Sequence, residues 1–201
     1  MLRKRTHDSS IDSRYLVQTS RNYDNLHFLG REIELANLEW QSSAMTRQIL
    51  VVYQSRNGAT LQLVESFSSG VKSASELIDI ELDIVERSAL SATSADVMNA
   101  DVLVIATPEH FGSMAGATKV FFEEIWDDCL HQTQGLPYQL IVKAGTDGAQ
   151  TIEGIQKLAN AQGWKEFRPP VLVVGEITEL ARESAFEIGG LLAVSLDSDL
   201  I

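Results

Sequence analysis

The sequence predicts an α/β domain: an open, parallel, doubly wound sheet of five strands in the order 2-1-3-4-5, with helices on both faces. Three observations carry this expectation. Ile49–Tyr53 and Val102–Ala106 are continuous apolar runs, as strands covered on both faces must be. The stretch 78–85 instead alternates Ile78, Ile80, Leu82 and Ile84 with acids at 79, 81 and 83, which marks a strand with one wet face at a sheet edge. Between the strands, apolar residues recur every three or four positions, the spacing of a helix lying on a sheet.

Taken in order, strand one is Ile49–Tyr53, and a helix follows from about Thr60 to Ser73 with Leu61, Val64, Phe67 and Val71 on its core face. Strand two spans 78–85, and a short helix around Ser94–Ala100 comes next, with Ser94 placed to cap it. Strand three is Val102–Ala106. After a polar loop, a helix reaches about Leu130 and turns Val120, Phe121, Ile125 and Trp126 inward. Strand four is Gln139–Lys143, followed by a helix to about Gln162. Strand five is Val171–Val174, and a final helix from about Thr178 is expected to break at Gly189-Gly190.

Met1 to Ala44 has a different character. It opens with Arg3-Lys-Arg5, continues polar, and balances six Lys/Arg against six Asp/Glu, so the net charge of −12 resides entirely in residues 45–201. No apolar stretch succeeds the basic start, as a secretory signal requires, and Asp8, Asp12 and Asp24 do not suit a transit peptide. Residues 1–44 are therefore expected to be a disordered or over-extended N-terminal segment, with the domain occupying residues 45–201 from Met45.

Several function classes are disfavoured by composition. A chain this acidic offers no basic surface to nucleic acid. No run approaches 18 uncharged apolar residues, so no membrane span is expected. The single cysteine, Cys129, cannot form an internal disulfide, which suits a cytoplasmic location, and its place on a helix makes it a packing residue. No His/Cys/Asp spacing suggests a metal site.

In a sheet of this order, ligands bind beyond the carboxyl ends of the central strands. The loops expected there are rich in glycine and polar residues. The first offers Ser55, Arg56, Asn57, Gly58, Ala59 and Thr60 at the start of a helix, where free N–H groups and the dipole favour a phosphate. Ser55, Asn57 and Thr60 would serve equally to cap the helix, and Arg56 can pair with a phosphate or face solvent. The second offers Thr107, Pro108, Glu109, His110, Phe111 and Gly112. There Pro108 holds Thr107 extended, and Phe111 can lie against a flat ring or belong to the core. His110 can donate to a ligand carbonyl or remain a solvated loop histidine, and it is the only candidate catalytic residue. The third offers Ala144, Gly145, Thr146, Asp147 and Gly148, with Asp147 suited to accept from a ligand hydroxyl or to shape the turn. Residues alone thus point to no more than a phosphate and a flat ring.

From Gln48 to about Leu192 the chain resembles the flavodoxin family and its flavodoxin-like NAD(P)H-dependent flavin and quinone reductases. Ser55-Arg-Asn-Gly-Ala-Thr60 is similar to the flavodoxin phosphate loop Thr/Ser-x-Thr-Gly-x-Thr, with Asn57 in place of a hydroxyl residue. Thr107-Pro-Glu-His-Phe-Gly-Ser-Met-Ala-Gly116 is similar to the reductase segment Thr-Pro-x-x-Phe-Gly-x-Met-x-Gly, which packs against the isoalloxazine in that branch. The resemblance implies non-covalent FMN held by the three loops. It further implies NAD(P)H as electron donor and a quinone-like small molecule or a redox protein as acceptor, with homo-oligomerisation compatible. An electron-transfer flavodoxin without its own NAD(P)H turnover is the alternative, as is a flavodoxin-like scaffold that no longer holds FMN. Glu86-Arg-Ser-Ala-Leu90, after strand two, lacks the large aromatic such carriers usually set beside the ring.

Competing uses of this strand order find no residues here. Gln54-Ser55 and Thr107-Pro108 stand where a phosphoacceptor receiver needs acids. No Gly-x-x-x-x-Gly-Lys-Ser/Thr, Gly-x-Gly-x-x-Gly or Gly-x-Ser-x-Gly occurs.

Overall fold

A computed structural model describes residues 46–78, 80–198 and 200–201. The N-terminal segment expected over 1–44 lies outside these described residues. The elements are β1 (Thr46–Tyr53), α1 (Ala59–Ser75), β2 (Glu81–Ser88), α2 (Ser94–Met98), β3 (Val102–His110), β4 (Ser113–Met114), α3 (Gly116–Cys129), β5 (Pro137–Ala144), α4 (Ala149–Ala161), β6 (Lys165–Glu166), β7 (Val171–Val174) and α5 (Glu179–Asp197). The parallel order runs β2-β1-β3-β5, and β6 and β7 both pair with β5. With β6 and β7 counted as one strand, this is the predicted order 2-1-3-4-5.

That last strand is split for a chemical reason. Pro169 and Pro170 lie between its pieces, and proline cannot donate to a ladder. Buried Gln139 of β5 spans the gap by donating from Nε2 to the Pro169 carbonyl at 3.3 Å.

Alternation along the central strands divides the core. Leu50, Val52, Leu103, Ile105, Leu140 and Val142 face α2, α3 and α4, where they meet Val97, Phe121, Phe122, Ile125, Cys129 and Ile155. Ile49, Val51, Val102, Val104 and Ile141 point the other way, onto Leu63, Val64, Phe67 and Val71 of α1 and Ala185, Leu192 and Leu196 of α5. Each large side chain fully buried here contributes about 1.5–3 kcal/mol relative to exposure.

Several element details differ from expectation. β2 sits three residues later than predicted because it is held in register by β1, from Thr46 opposite Glu81 to Tyr53 opposite Ser88. Ile78 and Ile80 still pack on the core from the turn before it. Thr93, not Ser94, caps α2: its Oγ1 accepts from the Asp96 N–H at 3.2 Å, and Asp96 accepts back from the Thr93 N–H at 2.8 Å. On α1, Leu63 takes the buried place expected for Leu61. On α3, Val120 is exposed and Trp126 half-buried, while Phe122 and Cys129 turn inward.

α5 is unbroken at Gly189-Gly190. These glycines serve close packing instead. A Cβ on Gly189 would collide with the Phe67 carbonyl of α1, and one on Gly70 of α1 would collide with the Phe186 carbonyl of α5. The two helices therefore approach backbone to backbone, each glycine admitting a phenylalanine carbonyl of the other helix.

Candidate functional site

Because β1, β3 and β5 are adjacent and parallel, the segments after them emerge along one sheet edge. After β1, the Gln54 N–H still bonds to the Ala106 carbonyl at 2.9 Å, so the chain leaves the sheet only at Ser55. It then turns into α1 through Gly58, whose φ of +83° suits glycine. Helix geometry leaves the Ala59 and Thr60 N–H groups without helical acceptors, and the Leu61 N–H donates to Ser55 Oγ at 3.3 Å. Nothing lies within 4 Å of where a Gly58 Cβ would stand, and no acid occupies the first turn of α1. Arg56 and Asn57 are exposed beside this opening, and Thr60 is buried beneath it. The cradle is open and uncrowded, and the first turn of the helix behind it carries no carboxylate, which suits an anion.

The segment after strand three was expected to be a loop, yet β3 continues to His110 and reverses into β4. Glu109 pairs with Met114 and His110 with Ser113. The two turn residues, Phe111 and Gly112, have φ of +53° and +72°, the signs of a type I′ hairpin turn. Left-handed backbone is costly for phenylalanine, by about 1–3 kcal/mol, and persists only where surroundings enforce it. The Phe111 side chain is fully exposed at the tip, so it is not a core residue. His110 is half-buried and makes no side-chain hydrogen bond among the described residues.

Both ends of the hairpin are pinned. The buried Thr107 hydroxyl accepts from the Ala115 N–H at 3.3 Å and from Thr118 Oγ1 at 2.9 Å, and it donates to the Pro108 carbonyl at 3.2 Å. It therefore fastens the start of α3, and its hydroxyl is engaged within the protein. Pro108 stands opposite Lys143 in the β3–β5 ladder. Glu109 reaches across to the segment after β5, accepting from the Gly145 N–H at 3.0 Å, the Thr146 N–H at 2.8 Å and Thr146 Oγ1 at 2.8 Å. Hydrogen bonds from the Thr146 N–H and hydroxyl, outweighing the desolvation that opposes them, hold its carboxyl below the ordinary glutamate value.

In that third segment the Ala144 carbonyl already accepts from Lys143 Nζ at 2.9 Å and from the Gly175 N–H at 3.1 Å. Asp147 Oδ1 accepts from the Ala149 N–H at 3.0 Å, so it shapes the entry to α4. Gly148 caps α4 at φ +69°, and any Cβ there would press on Leu172. The three predicted segments thus meet at one edge, but they differ in what they leave open. The first presents backbone donors that find no acceptor among the described residues, the second an exposed aromatic, and the third has its Gly145 and Thr146 donors taken by Glu109. Sequence spacing did not reveal this link, and the only hint of it was an acid in one loop opposite a Gly-Thr turn in another.

Cys129 is buried, and burial together with Asp128 pushes its thiol up to about 11. Among the described residues, no helix is long and apolar enough to cross a membrane.

Comparison with known proteins gives independent relationships. The family model described as NADPH-dependent FMN reductase matches residues 46–176. A flavodoxin of Aquifex aeolicus is 30% identical over 88 residues, which cover 44% of this chain and 45% of that protein. The matched region thus spans less than half of that relative. Among solved structures, a flavodoxin from the domain Archaea superposes with a TM-score of 0.62 at 17% identity, covering 74% of this chain and 98% of its own. A flavodoxin, WrbA-like protein of Agrobacterium tumefaciens gives 0.60 at 16% identity, covering 74% and 96%. At these identities, the structural likenesses establish the flavodoxin-like fold.

Proposed function

Because this chain belongs to the NADPH-dependent FMN reductase family, we propose that it binds FMN non-covalently and works as an NAD(P)H-dependent oxidoreductase delivering electrons to a quinone-like acceptor. The observation that carries the reading is the cradle at the start of α1. Its open space over Gly58 and acid-free first turn suit a phosphate in shape and charge. Ser55, Asn57, Gly58, Ala59 and Thr60 would hold that phosphate through N–H and hydroxyl donors, and Arg56 would balance its charge. Phe111 would offer an apolar face to the ring, and His110 would be placed to donate a proton to a ring carbonyl or to the acceptor. Thr107, Pro108, Glu109, Gly112, Ala144, Gly145, Thr146, Asp147 and Gly148 would shape the walls. When bound, FMN supplies the capacity to take up hydride and pass electrons onward.

The test is the visible spectrum of the purified protein before and after anaerobic NADPH. A yellow protein that bleaches without a separate reductase is the expected result. A colourless protein that ignores added FMN would end the reading. The second reading is an electron-transfer flavodoxin. It is favoured by the net charge of −12 and by the flavodoxin relative, and it predicts a flavin that stays oxidised under NADPH. Against it, Leu90 is the large exposed side chain after β2, where such carriers usually place an aromatic. A cytoplasmic location and association into homo-oligomers belong to the same proposal, and light scattering tests the second.

A further inference from the structure

The hairpin that carries His110 and Phe111 is fastened at its base by one side chain reaching into another loop. Glu109 accepts from two consecutive backbone N–H groups, those of Gly145 and Thr146, and from the Thr146 hydroxyl. Two adjacent N–H groups directed at one carboxylate form a small anion nest, and charge-assisted bonds of this kind are about twice as strong as neutral ones. The nest belongs to the β5–α4 segment and the carboxylate to β3, so the contact joins elements 36 and 37 residues apart in sequence. Immediately beyond Glu109 stands the strained turn, with Phe111 at φ +53° and its ring in solvent. Nothing packed around that ring can enforce its backbone geometry. The restraint comes from the pairing of His110 with Ser113, from Met114 packed against the core beside Gly154 of α4, and from the two anchors behind the turn, Thr107 on α3 and Glu109 on the β5–α4 segment.

We infer that Glu109 is a positioning residue, a clasp that fixes the β3–β4 hairpin to the β5–α4 segment and so aims Phe111 and His110 across the site edge. The inference rests on the proposed flavin site for its functional meaning, although the clasp itself is a property of the protein alone. It also assigns the third segment a role different from donating to a ligand: Gly145 and Thr146 direct their N–H groups at Glu109. The clasp preorganises two walls before any ligand arrives, which lowers the ordering cost of binding.

The experiment compares the full-length protein with its E109A and E109Q variants by amide hydrogen exchange and by FMN titration. In wild type, the Gly145 and Thr146 amides are expected to be protected. In E109A they exchange at the rate of an open loop, and FMN affinity falls about tenfold, the order expected from losing charge-assisted bonds. In E109Q the side-chain carbonyl still accepts from both amides, so protection and part of the affinity return. Should E109A fail to fold, Thr146→Val, which deletes the hydroxyl donor and keeps the backbone, carries the test together with E109Q. Full protection of both amides in E109A, or unchanged FMN affinity once protection is lost, overturns the inference. If wild type takes up no FMN, the functional reading falls, and the exchange data still decide whether the clasp exists.

Discussion

Gly70 of α1 lies directly beneath the Phe186 carbonyl of α5, so close that no side-chain carbon fits between them. Gly189 repeats the arrangement in reverse against Phe67. Alanine at either position must push the helices apart along a contact that covers one whole face of the sheet. Gly70→Ala and Gly189→Ala are each expected to lose about 3 kcal/mol, at the upper end for overpacking. Gly190 is the internal control, since its Cβ would meet the Gly70 carbonyl at an ordinary 3.6 Å. Gly190→Ala should be neutral or stabilising by up to about 1 kcal/mol through helix propensity. Urea unfolding of the three variants checks the pattern, which fails if all three behave alike.

Phe111 sets stability against function. Replacing it with asparagine supplies the residue a type I′ turn prefers at its first central position. Phe111→Asn should therefore gain about 1 kcal/mol of stability, since left-handed backbone costs about 1–2 kcal/mol for ordinary residues. If the exposed ring serves flavin or acceptor, the same variant weakens FMN retention or raises the KM for the acceptor. Thermal melts paired with flavin titration read both effects. A variant that is more stable and binds as well as wild type would remove Phe111 from the site.

At the phosphate cradle, Thr60→Val keeps shape and burial but deletes a hydroxyl. Its FMN affinity should fall about tenfold with a change in stability below about 1 kcal/mol. Gly58→Val strains a backbone at φ +83° and fills the open space above it, so it should lose both flavin and some stability. Fluorescence titration with FMN distinguishes the two. Full occupancy in both variants would leave Ser55 to Thr60 as a helix entry and nothing more.

Cys129 predicts a response to alkali. Burial raises its thiol from 9.0 to about 11, so folding favours the protonated form. A raised folded value means that the contribution is fully present below pH 9 and is lost as pH climbs through about 11. Tyr138, pushed by burial to about 12, adds a loss that begins near pH 10. Cys129→Ala should flatten the stability profile between pH 9 and 10, which pH-dependent unfolding measures. The native thiol should also resist aromatic disulfide reagents at pH 8 and react promptly once urea unfolds the chain.

How much of this molecule is legible in its sequence depends on how local each cause is. Ile49–Tyr53 and Val102–Ala106 declared themselves because burial on both faces leaves no polar residue in the run. The edge position of β2 was readable from its alternation, but its register was not, because Thr46 opposite Glu81 is set by pairing between distant residues. The hairpin at Phe111-Gly112 was hidden because phenylalanine is not a residue that turn chemistry leads one to expect there. Gly189-Gly190 looked like a helix break because propensity is local, whereas their use is contact with α1. The cradle at Gly58 needed only neighbours in sequence to be recognised. The link from Glu109 to Thr146 needed the fold.

The divided last strand has a consequence for how this protein behaves among copies of itself. An exposed sheet edge is a template on which other chains can add strands and grow into aggregates. Here Pro169 and Pro170 remove two amide donors from that border, leaving β6 with two residues and β7 with four. Neither piece is long enough to guide a stable foreign strand, although Leu172 and Val174 are exposed and apolar. The interruption thus acts as a gatekeeper at this border of the sheet, while the opposite border, β2, carries charged residues such as Glu81, Asp83, Glu86 and Arg87.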